Sequence, residues 1–168
     1  PCRAMEEAGW EFSLVAPDAN GVITADAVAG ALRADTVLVC VMAVNNVTGI
    51  CNELARIGEL CKRRGVLFMC DATQAVGKVP VDVAVGIDLL ALSGHKLHGP
   101  KGVGALYVRG RAPRVELETI IHGGGQERGW RSGTVNVPGA VALGVACELA
   151  AAELAAGMGQ LGQLRDSL

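Results

Sequence analysis

The chain has 168 residues, which is enough for one domain. Hydrophobic residues make up 51% of it and aromatic residues only 3%, so its core must be built from Ala, Val, Leu and Ile. A formal net charge of −2 argues against a nucleic-acid-binding or anionic-membrane surface. The longest uninterrupted apolar runs are well short of the roughly 20 residues that span a bilayer. The composition therefore agrees with an ordinary soluble α/β domain.

Strand-like and helical segments alternate along the first half of the chain. In chain order, we predict a strand at Glu11–Val15, a helix from Thr24 to about Arg33, a β-rich run at Thr36–Ala43 and a helix from Asn52 to about Arg64. Thr24 is a suitable N-cap for the first helix, and Asp26 follows near the positive end of that helix. Apolar residues at helical spacing define the buried face of the second helix.

Three apolar runs and a long helical stretch make up the second half. They are predicted strands at Val66–Cys70, Ile87–Leu92 and Val103–Val108, a helix from Gly139 to about Ala156 that Pro138 opens, and a weaker helix at Met158–Leu168. Gly157 is the predicted break between the two helices. The alternation predicts an α/β fold, a mostly parallel sheet covered by helices. Near-continuous apolar strands favour burial on both faces of the sheet.

A polar, glycine-rich loop, Ser93–Gly102, connects the last two predicted strands. Lys96 lies in this loop close to Ser93 and His95, and the strands on either side would hold it in place. A lysine held in this way can bind an aldehyde as a Schiff base, and the aldehyde expected here is pyridoxal phosphate (PLP), an electron sink. Most loop lysines are simply solvated, so this loop alone does not establish a site.

A second polar segment follows another buried strand. Asp71 comes directly after the run Val66–Cys70, and ligands of open α/β sheets bind outside the carboxyl ends of the strands. An aspartate there can keep the pyridine nitrogen of PLP protonated. The alternative is that Asp71 only caps the next turn or helix. Because Asp71 and Lys96 each follow a buried strand, the pair favours a PLP site.

The six cysteines have neither CxxC nor Cys/His metal spacing, so we predict no metal site. Cys40, Cys70 and Cys147 fall in apolar runs and are expected to be small core residues. Cys61 lies beside three basic residues, a setting that can lower a thiol pKa, and Cys51 lies in a loop near the predicted cofactor site. Cysteines without a disulfide framework, in a chain without a signal peptide, suggest a reducing cytoplasm.

Four sequence blocks, taken together in their order and spacing, indicate a protein family. They are Met42–Asn46 with Gly49, Asp71–Lys78, Ser93–Gly102 and Gly123–Thr134. With these blocks the chain resembles the central part of a cysteine desulfurase, a fold-type I, class V aminotransferase-like PLP enzyme of iron–sulfur cluster assembly and nitrogen fixation. Such enzymes convert L-cysteine to L-alanine and leave a persulfide on the protein. The resemblance runs through nearly all 168 residues.

The resemblance implies roles for the residues around the cofactor ring. Lys96 matches the Schiff-base lysine and is the catalytic residue within this chain. Asp71 matches the partner of the pyridinium nitrogen. Asn45 and Gln74 match residues around the phenolic oxygen of the ring, where hydrogen bonds tune the imine.

The resemblance also implies a phosphate site. Ser93 and His95 match residues that hold the phosphate, and Thr134 matches a residue that reaches the phosphate bound by the neighbouring subunit of a dimer. Arg131 and His122 lie in or beside the loop that carries Thr134, and the resemblance gives them no firm role.

The chain departs from the family pattern at several positions. The first block usually reads Asn-Asn-Glu with a Gln soon after the glycine, whereas this chain has Val47 and then Cys51 and Asn52. Met69 replaces a frequent histidine, and Trp130 replaces a smaller apolar residue. These departures concern the substrate pocket and leave the lysine, aspartate and glutamine unchanged.

The resemblance implies that the chain is a fragment. The family's phosphate loop and ring-stacking histidine belong before Pro1, and its catalytic cysteine and carboxylate-binding arginine belong after Leu168. Residues 1–137 would then be a partial large PLP-binding domain, and residues 138–168 a helical segment leading towards a small domain. We expect exposed apolar surface on this segment, a tendency to associate, and no complete catalytic cycle by the fragment alone.

Three functions remain open from the sequence. The first is a cysteine desulfurase acting on L-cysteine, homodimeric when complete and passing sulfur to a persulfide acceptor such as an iron–sulfur scaffold protein. The second is a selenocysteine lyase or another class V aminotransferase-like PLP enzyme. The third is a non-catalytic truncated product or scaffold. In each case we expect a cytoplasmic protein without a nucleic-acid or membrane partner.

Overall fold

The computed structural model describes residues 2–167 and contains one four-stranded sheet. Its strands are β1 (Leu38–Met42), β2 (Leu67–Asp71), β3 (Leu89–Ser93) and β4 (Gly104–Val108). They lie in the order β1-β2-β3-β4; β1, β2 and β3 run parallel, and β4 is antiparallel to β3. The prediction of a mostly parallel sheet is confirmed.

Four α-helices accompany the sheet in the described part of the chain. They are α1 (Cys2–Glu7), α2 (Ala25–Ala31), α3 (Leu54–Arg64) and α4 (Val137–Asp166), with short 3₁₀ helices at Val83–Val85, Gly94–Leu97 and Glu127–Gly129. Thr24 caps α2 as predicted, because its hydroxyl accepts a hydrogen bond of 3.2 Å from the Ala27 N–H. Asp26 lies in the first turn of α2.

The start of α3 and the first predicted strand differ from the prediction. Helix α3 begins two residues after Asn52, whose side chain instead accepts from the Ile23 N–H and donates to the Met42 carbonyl, both at 2.8 Å. Glu11–Val15 is not a strand: among residues 2–167 it has no ladder partner, and most of its side chains are exposed. Alternation alone cannot make a strand when no sheet edge pairs with it.

The core lies around the middle of the sheet and the inner face of α3. Its largest fully buried side chains are Phe68, Ile57, Ile87, Cys61 and Cys70. The prediction that the strands are buried on both faces is wrong for the outer strands. Leu38 in β1 is 41% exposed and Leu106 in β4 is 51% exposed, because each belongs to an edge strand.

A buried ion pair fixes the start of β3 between its neighbours. Asp88 Oδ1 accepts from Arg109 Nε at 2.9 Å, and Asp88 Oδ2 accepts from the Phe68 N–H at 2.9 Å. Arg109 also donates to the carbonyls of Val83 (3.0 Å) and Ile87 (2.7 Å). These bonds tie the residues just before β3 to β2, to the end of β4 and to the 3₁₀ helix at Val83–Val85, so they help to hold in place the strand that leads to Lys96.

Helix α4 is continuous from Val137 to Asp166, so the predicted break at Gly157 is wrong. A single glycine weakens a helix without ending it, and here the backbone on both sides stays helical. The helix packs through Leu143 and Ala146 against Leu97. The expectation of exposed apolar surface is confirmed at Val137, Val141, Val145, Leu149, Leu161 and Leu164.

Part of α4 is apolar enough to cross a membrane. The 18 residues 137–154 have a mean hydropathy of 1.5, and 11% of this segment is buried. One such helix is weak evidence for a membrane span, since core helices of soluble proteins have the same length and composition. The segment also contains two acidic residues, Glu148 and Glu153.

Candidate active site

The predicted site residues that follow the first three strands share one edge of the sheet. Met42, the last residue of β1, pairs with Asp71, and Asp71 in turn pairs with Ala91, two residues before Ser93 ends β3. Because these strands are parallel, their carboxyl ends lie side by side, which is where open α/β sheets bind ligands. Asn45, three residues beyond β1, follows the same edge.

Lys96 lies in the 3₁₀ helix Gly94–Leu97, directly after β3. The helix ends at His98, which adopts a left-handed conformation (φ 62°), and the N–H groups of His98 and Gly99 both bond to the Gly94 carbonyl. Gly94 is closely packed, since a Cβ would lie 3.1 Å from the Val103 carbonyl oxygen. Lys96 is therefore half-buried on a tightly wound turn, as an anchored lysine requires.

Ser93 and His95 are joined by a hydrogen bond of 2.9 Å between Oγ and Nδ1. This bond orients the imidazole and leaves its Nε2 directed elsewhere. A hydroxyl and an imidazole held together on one turn can both bond to the oxygens of one phosphate group. The pair precedes Lys96 by three residues and one residue respectively, so the predicted phosphate and aldehyde partners belong to the same short turn.

Asp71 caps a turn, as the alternative interpretation predicted. Its Oδ1 accepts a 2.9 Å hydrogen bond from the Thr73 N–H. The cap uses one carboxylate oxygen, and Oδ2 takes part in no hydrogen bond or ion pair with residues 2–167, so it can still pair with a pyridinium nitrogen. Gln74 lies half-buried in the same turn.

Asn45 stabilises the loop that follows β1. Its Oδ1 accepts from the N–H groups of Val47 (2.9 Å) and Thr48 (3.0 Å), an Asx-turn. The amide Nδ2 is left as the donor that the phenolic oxygen of the ring would need. Val47, one of the departures from the family pattern, is 85% exposed, so it costs the fold little.

Thr134 lies apart from these residues. It is exposed, and within the described chain no hydrogen bond joins it to the turns carrying Asp71 or Lys96. The loop before it is tied to itself: the Gly133 N–H bonds to Gln126 Oε1 at 2.9 Å, and the Gly125 N–H bonds to Ser132 Oγ at 3.2 Å. Arg131 donates to the Ser132 carbonyl at 2.8 Å, so its described role is within this loop.

One prediction about the cysteines is wrong. Cys40 is exposed, because alternate residues of edge strand β1 face outward. At Cys61 the basic neighbours do not lower the thiol pKa: burial, and then the charge of Asp88, raise it to about 11. Cys70 is buried as predicted, Cys147 is half-buried, and Cys51 is exposed.

The sequence analysis gave no role to Lys78, the last residue of the block that begins at Asp71. Its Nζ donates a 3.0 Å hydrogen bond to the backbone carbonyl of Lys96. Both lysines also border a groove of about 510 Å³ between the 94–100 segment and α4. The only sequence signal for Lys78 was its place within a motif.

The donor set at this edge fits PLP. It combines an amine for the aldehyde, a carboxylate for the ring nitrogen, amides for the phenolic oxygen and a hydroxyl–imidazole pair for the phosphate. These groups belong to Lys96, Asp71, Asn45, Gln74, Ser93 and His95. They follow an open sheet edge, and Lys96 also borders the groove beside α4, so further walls would have to come from elsewhere.

The chain belongs to the aminotransferase class-V family, whose profile matches residues 1–167. Members of this family and the cysteine desulfurases within it are PLP enzymes. The family resemblance drawn from the four sequence blocks is confirmed, and the donor set described above has the chemistry that this family requires.

Relatives that match this chain include named cysteine desulfurases. Cysteine desulfurase IscS of Shewanella baltica (strain OS223) is 50% identical over 99% of this chain and 41% of the relative. A structure titled NifS-like protein superposes with a TM-score of 0.91 at 36% identity, covering 98% of this chain and 45% of that one. A structure of SspA in complex with cysteine gives a TM-score of 0.83 at 44% identity, covering 88% and 42%. The chain thus spans about two fifths of the curated relative's length.

Proposed function

We propose that this chain is the cofactor-binding part of a PLP-dependent cysteine desulfurase. The observation that carries the proposal is the shared sheet edge, where Lys96, Asp71 and the bonded Ser93–His95 pair follow adjacent parallel strands. The identity of 50% to a named cysteine desulfurase supports the same substrate class, L-cysteine.

Each of the proposed site residues would have its own role in the desulfurase reaction. PLP, when bound, supplies an electron sink for bond breaking beside the substrate amino group. The Lys96 amine would hold the aldehyde and would accept the proton from the substrate Cα. The free Oδ2 of Asp71 holds the proton on the ring nitrogen, and Ser93 with His95 binds the phosphate.

Burial excludes two of the described thiols as the sulfur-accepting cysteine. Cys61 and Cys70 are buried, and burial raises the pKa of each to about 11, so neither is a thiolate near neutral pH. Three of the other thiols are exposed and are not excluded in this way. From the family resemblance we infer that the nucleophile is supplied by sequence outside this chain. The same holds for the persulfide acceptor and for the partner subunit that Thr134 would serve in a homodimer.

We also propose the domain division predicted above, residues 1–137 for the partial large domain and 138–168 for the helical segment, in a cytoplasmic protein. A second candidate activity is selenocysteine lyase or a related class V reaction. Val47 and Cys51 depart from the family pattern and are both exposed, and these departures leave the second candidate activity open.

The test is a chimera in which this chain replaces the matching 41% of the Shewanella relative. We expect alanine release from L-cysteine that depends on PLP, because the relative provides the missing cysteine region. The matched variant Lys96→Ala should lose this release, whereas Lys62→Ala, on the exposed end of α3, should keep it.

Two results would separate the candidates. Alanine release from L-selenocysteine but not from L-cysteine would favour the lyase. A folded, PLP-loaded chimera that releases alanine from neither substrate would contradict both.

A further inference from the structure

One side chain links the two segments that carry the proposed cofactor partners. Lys78 closes the turn that starts at Asp71: the Lys78 N–H bonds to the Ala75 carbonyl at 2.9 Å, and the Ala75 N–H bonds to the Ala72 carbonyl at 2.9 Å. From there Nζ reaches across to the Lys96 carbonyl at 3.0 Å. The hydrogen bond therefore joins the Asp71 turn to the Lys96 turn.

The same two segments also touch directly beside this bond. Gly77 has φ +77°, and a Cβ at this position would lie 2.7 Å from Leu97 Cδ2 and 3.0 Å from the Ala150 Cβ. Leu97 is the residue after Lys96, so the close approach brings the backbone of one turn against the side chain of the other. The Lys78 bond is exposed to solvent and lies next to this packed contact.

The Lys96 carbonyl needs a hydrogen-bond donor from outside its own helix. It lies in the last turn of a 3₁₀ helix, where carbonyls have no partner within the helix. Lysine side chains near a helix C-terminus commonly bond to these carbonyls, and an ammonium donor makes the bond stronger than a neutral one does.

The charge of Lys78 is also not neutralised. Among residues 2–167 no acidic side chain forms an ion pair with it. Burial, and then the charge of Lys96, lower the pKa of Lys78. The two ammonium groups thus repel each other, which agrees with their closeness on the two turns.

We propose that Lys78 is a positioning residue of the cofactor site, which fixes the Lys96 turn against the Asp71 turn by bonding to the Lys96 carbonyl. Without this bond the Lys96 amine would sample more directions relative to the ring partner Asp71. Lys78 itself touches neither cofactor nor substrate in this account. The part of the proposal that concerns PLP rests on the proposed function.

The first test needs no cofactor. Hydrogen exchange is measured on the 168-residue chain and on Lys78→Met, Lys78→Arg and Lys101→Met. Lys101 lies in the same loop and is exposed, so its variant makes the same charge change without breaking the bond. The reporters are the bonded N–H groups of His98, Gly99 and Val79, and the amides of β3 report global unfolding.

Loss of one hydrogen bond should accelerate exchange at the reporters in Lys78→Met by about 2- to 10-fold, with β3 unchanged. Lys78→Arg, which keeps a donor, should restore slow exchange, and Lys101→Met should match the parent chain. Equal exchange in Lys78→Met and Lys101→Met would overturn the proposal.

The second test measures the rate at which PLP is captured by Lys96, fixed by borohydride and mapped by peptide mass spectrometry. We expect Lys78→Met to capture PLP more slowly by a similar factor, about 2- to 10-fold, with weaker visible circular dichroism and rescue by arginine. Faster exchange with an unchanged rate of PLP capture would show that the bond only stabilises the turn, and it would overturn the positioning role. If the parent chain captures no PLP, the capture comparison is made in the chimera, where a failure to capture PLP would contradict the proposed function; the exchange comparison decides by itself whether Lys78 holds the turn.

Discussion

Among single residues, burial decides which thiols of this chain can react. Cys61 and Cys70 lie in the core, and burial raises the pKa of both from 9.0 to about 11. Cys51 lies at the surface of the loop after β1. Because thiolates are the reactive form, the two core cysteines are inert packing residues at neutral pH.

The raised thiol pKa values make stability depend on alkaline pH. Below pH 9 the thiols are protonated in both the folded and the unfolded chain, whereas between pH 9 and 11 only the unfolded chain releases these protons readily. The free energy of unfolding should therefore fall by about 1–3 kcal/mol between pH 8 and pH 10, as measured by urea unfolding.

Cysteine variants isolate this effect from other alkaline titrations. The double variant Cys61→Ala/Cys70→Ala should show a smaller fall over the same pH interval, although its stability at pH 8 is lower because of the cavities. Cys51→Ala should keep the full fall. An equal fall in the parent chain and the double variant would contradict the assignment.

The sequence predicted the placement of Lys96 and Asp71, because each follows an apolar strand and parallel strands end together. It also predicted the Thr24 cap, which depends on residues three apart. It did not predict the Lys78 bond, since that bond joins residues 18 apart whose meeting depends on how two turns pack. The direction of the Cys61 pKa shift could not be read from its basic neighbours, because neighbouring charges are visible in a sequence and burial is not.

At the scale of elements, α4 differs most from the prediction. The sequence predicted two helices separated at Gly157, and the structure has one helix through that position. Glycine at the end of a helix usually adopts a left-handed conformation, as Gly65 does after α3 with φ 66°. Gly157 has helical neighbours on both sides, and composition alone cannot distinguish these two settings.

A pair of glycine substitutions tests the continuity of α4. Gly157→Ala should raise the free energy of unfolding by about 0.5–1 kcal/mol, because alanine is the better helix former and a Cβ would meet nothing within 4 Å. Gly65→Ala should lower it by about 1–2 kcal/mol, because alanine is strained in the left-handed conformation although space is open there too.

Thermal unfolding and helical circular dichroism provide the measurements for both variants. Opposite signs are the expected result, and Gly157→Ala should also increase the helical signal. A loss of stability in Gly157→Ala would instead indicate a helix end at this position.

Sheet topology was predicted better than sheet coverage. Alternating strands and helices indicate parallel pairing, and three of the four strands obey it. The apolar composition of β1 and β4 suggested burial on both faces, yet each is an edge strand with exposed apolar residues. Coverage depends on which elements pack on the sheet, and a strand's own sequence does not contain that information.

At the scale of the whole molecule, the chain spans about two fifths of the cysteine desulfurase it matches. Its described residues supply the lysine, the aspartate and the Ser93–His95 pair that we propose for the cofactor, while much of α4 and both sheet edges remain uncovered. Apolar surface of this kind favours association, so the sequence-based expectation of self-association stays a prediction. We propose that this chain contains the covalent anchor for PLP, Lys96.

The most direct measurement mixes the purified chain with PLP, records the visible spectrum, reduces with borohydride and maps the modified peptide, beside Lys96→Ala and Lys101→Ala. We expect a yellow band in the parent and in Lys101→Ala, with label on Lys96, and no such band in Lys96→Ala. A folded parent chain without the band, or a label that persists in Lys96→Ala, would contradict this proposal.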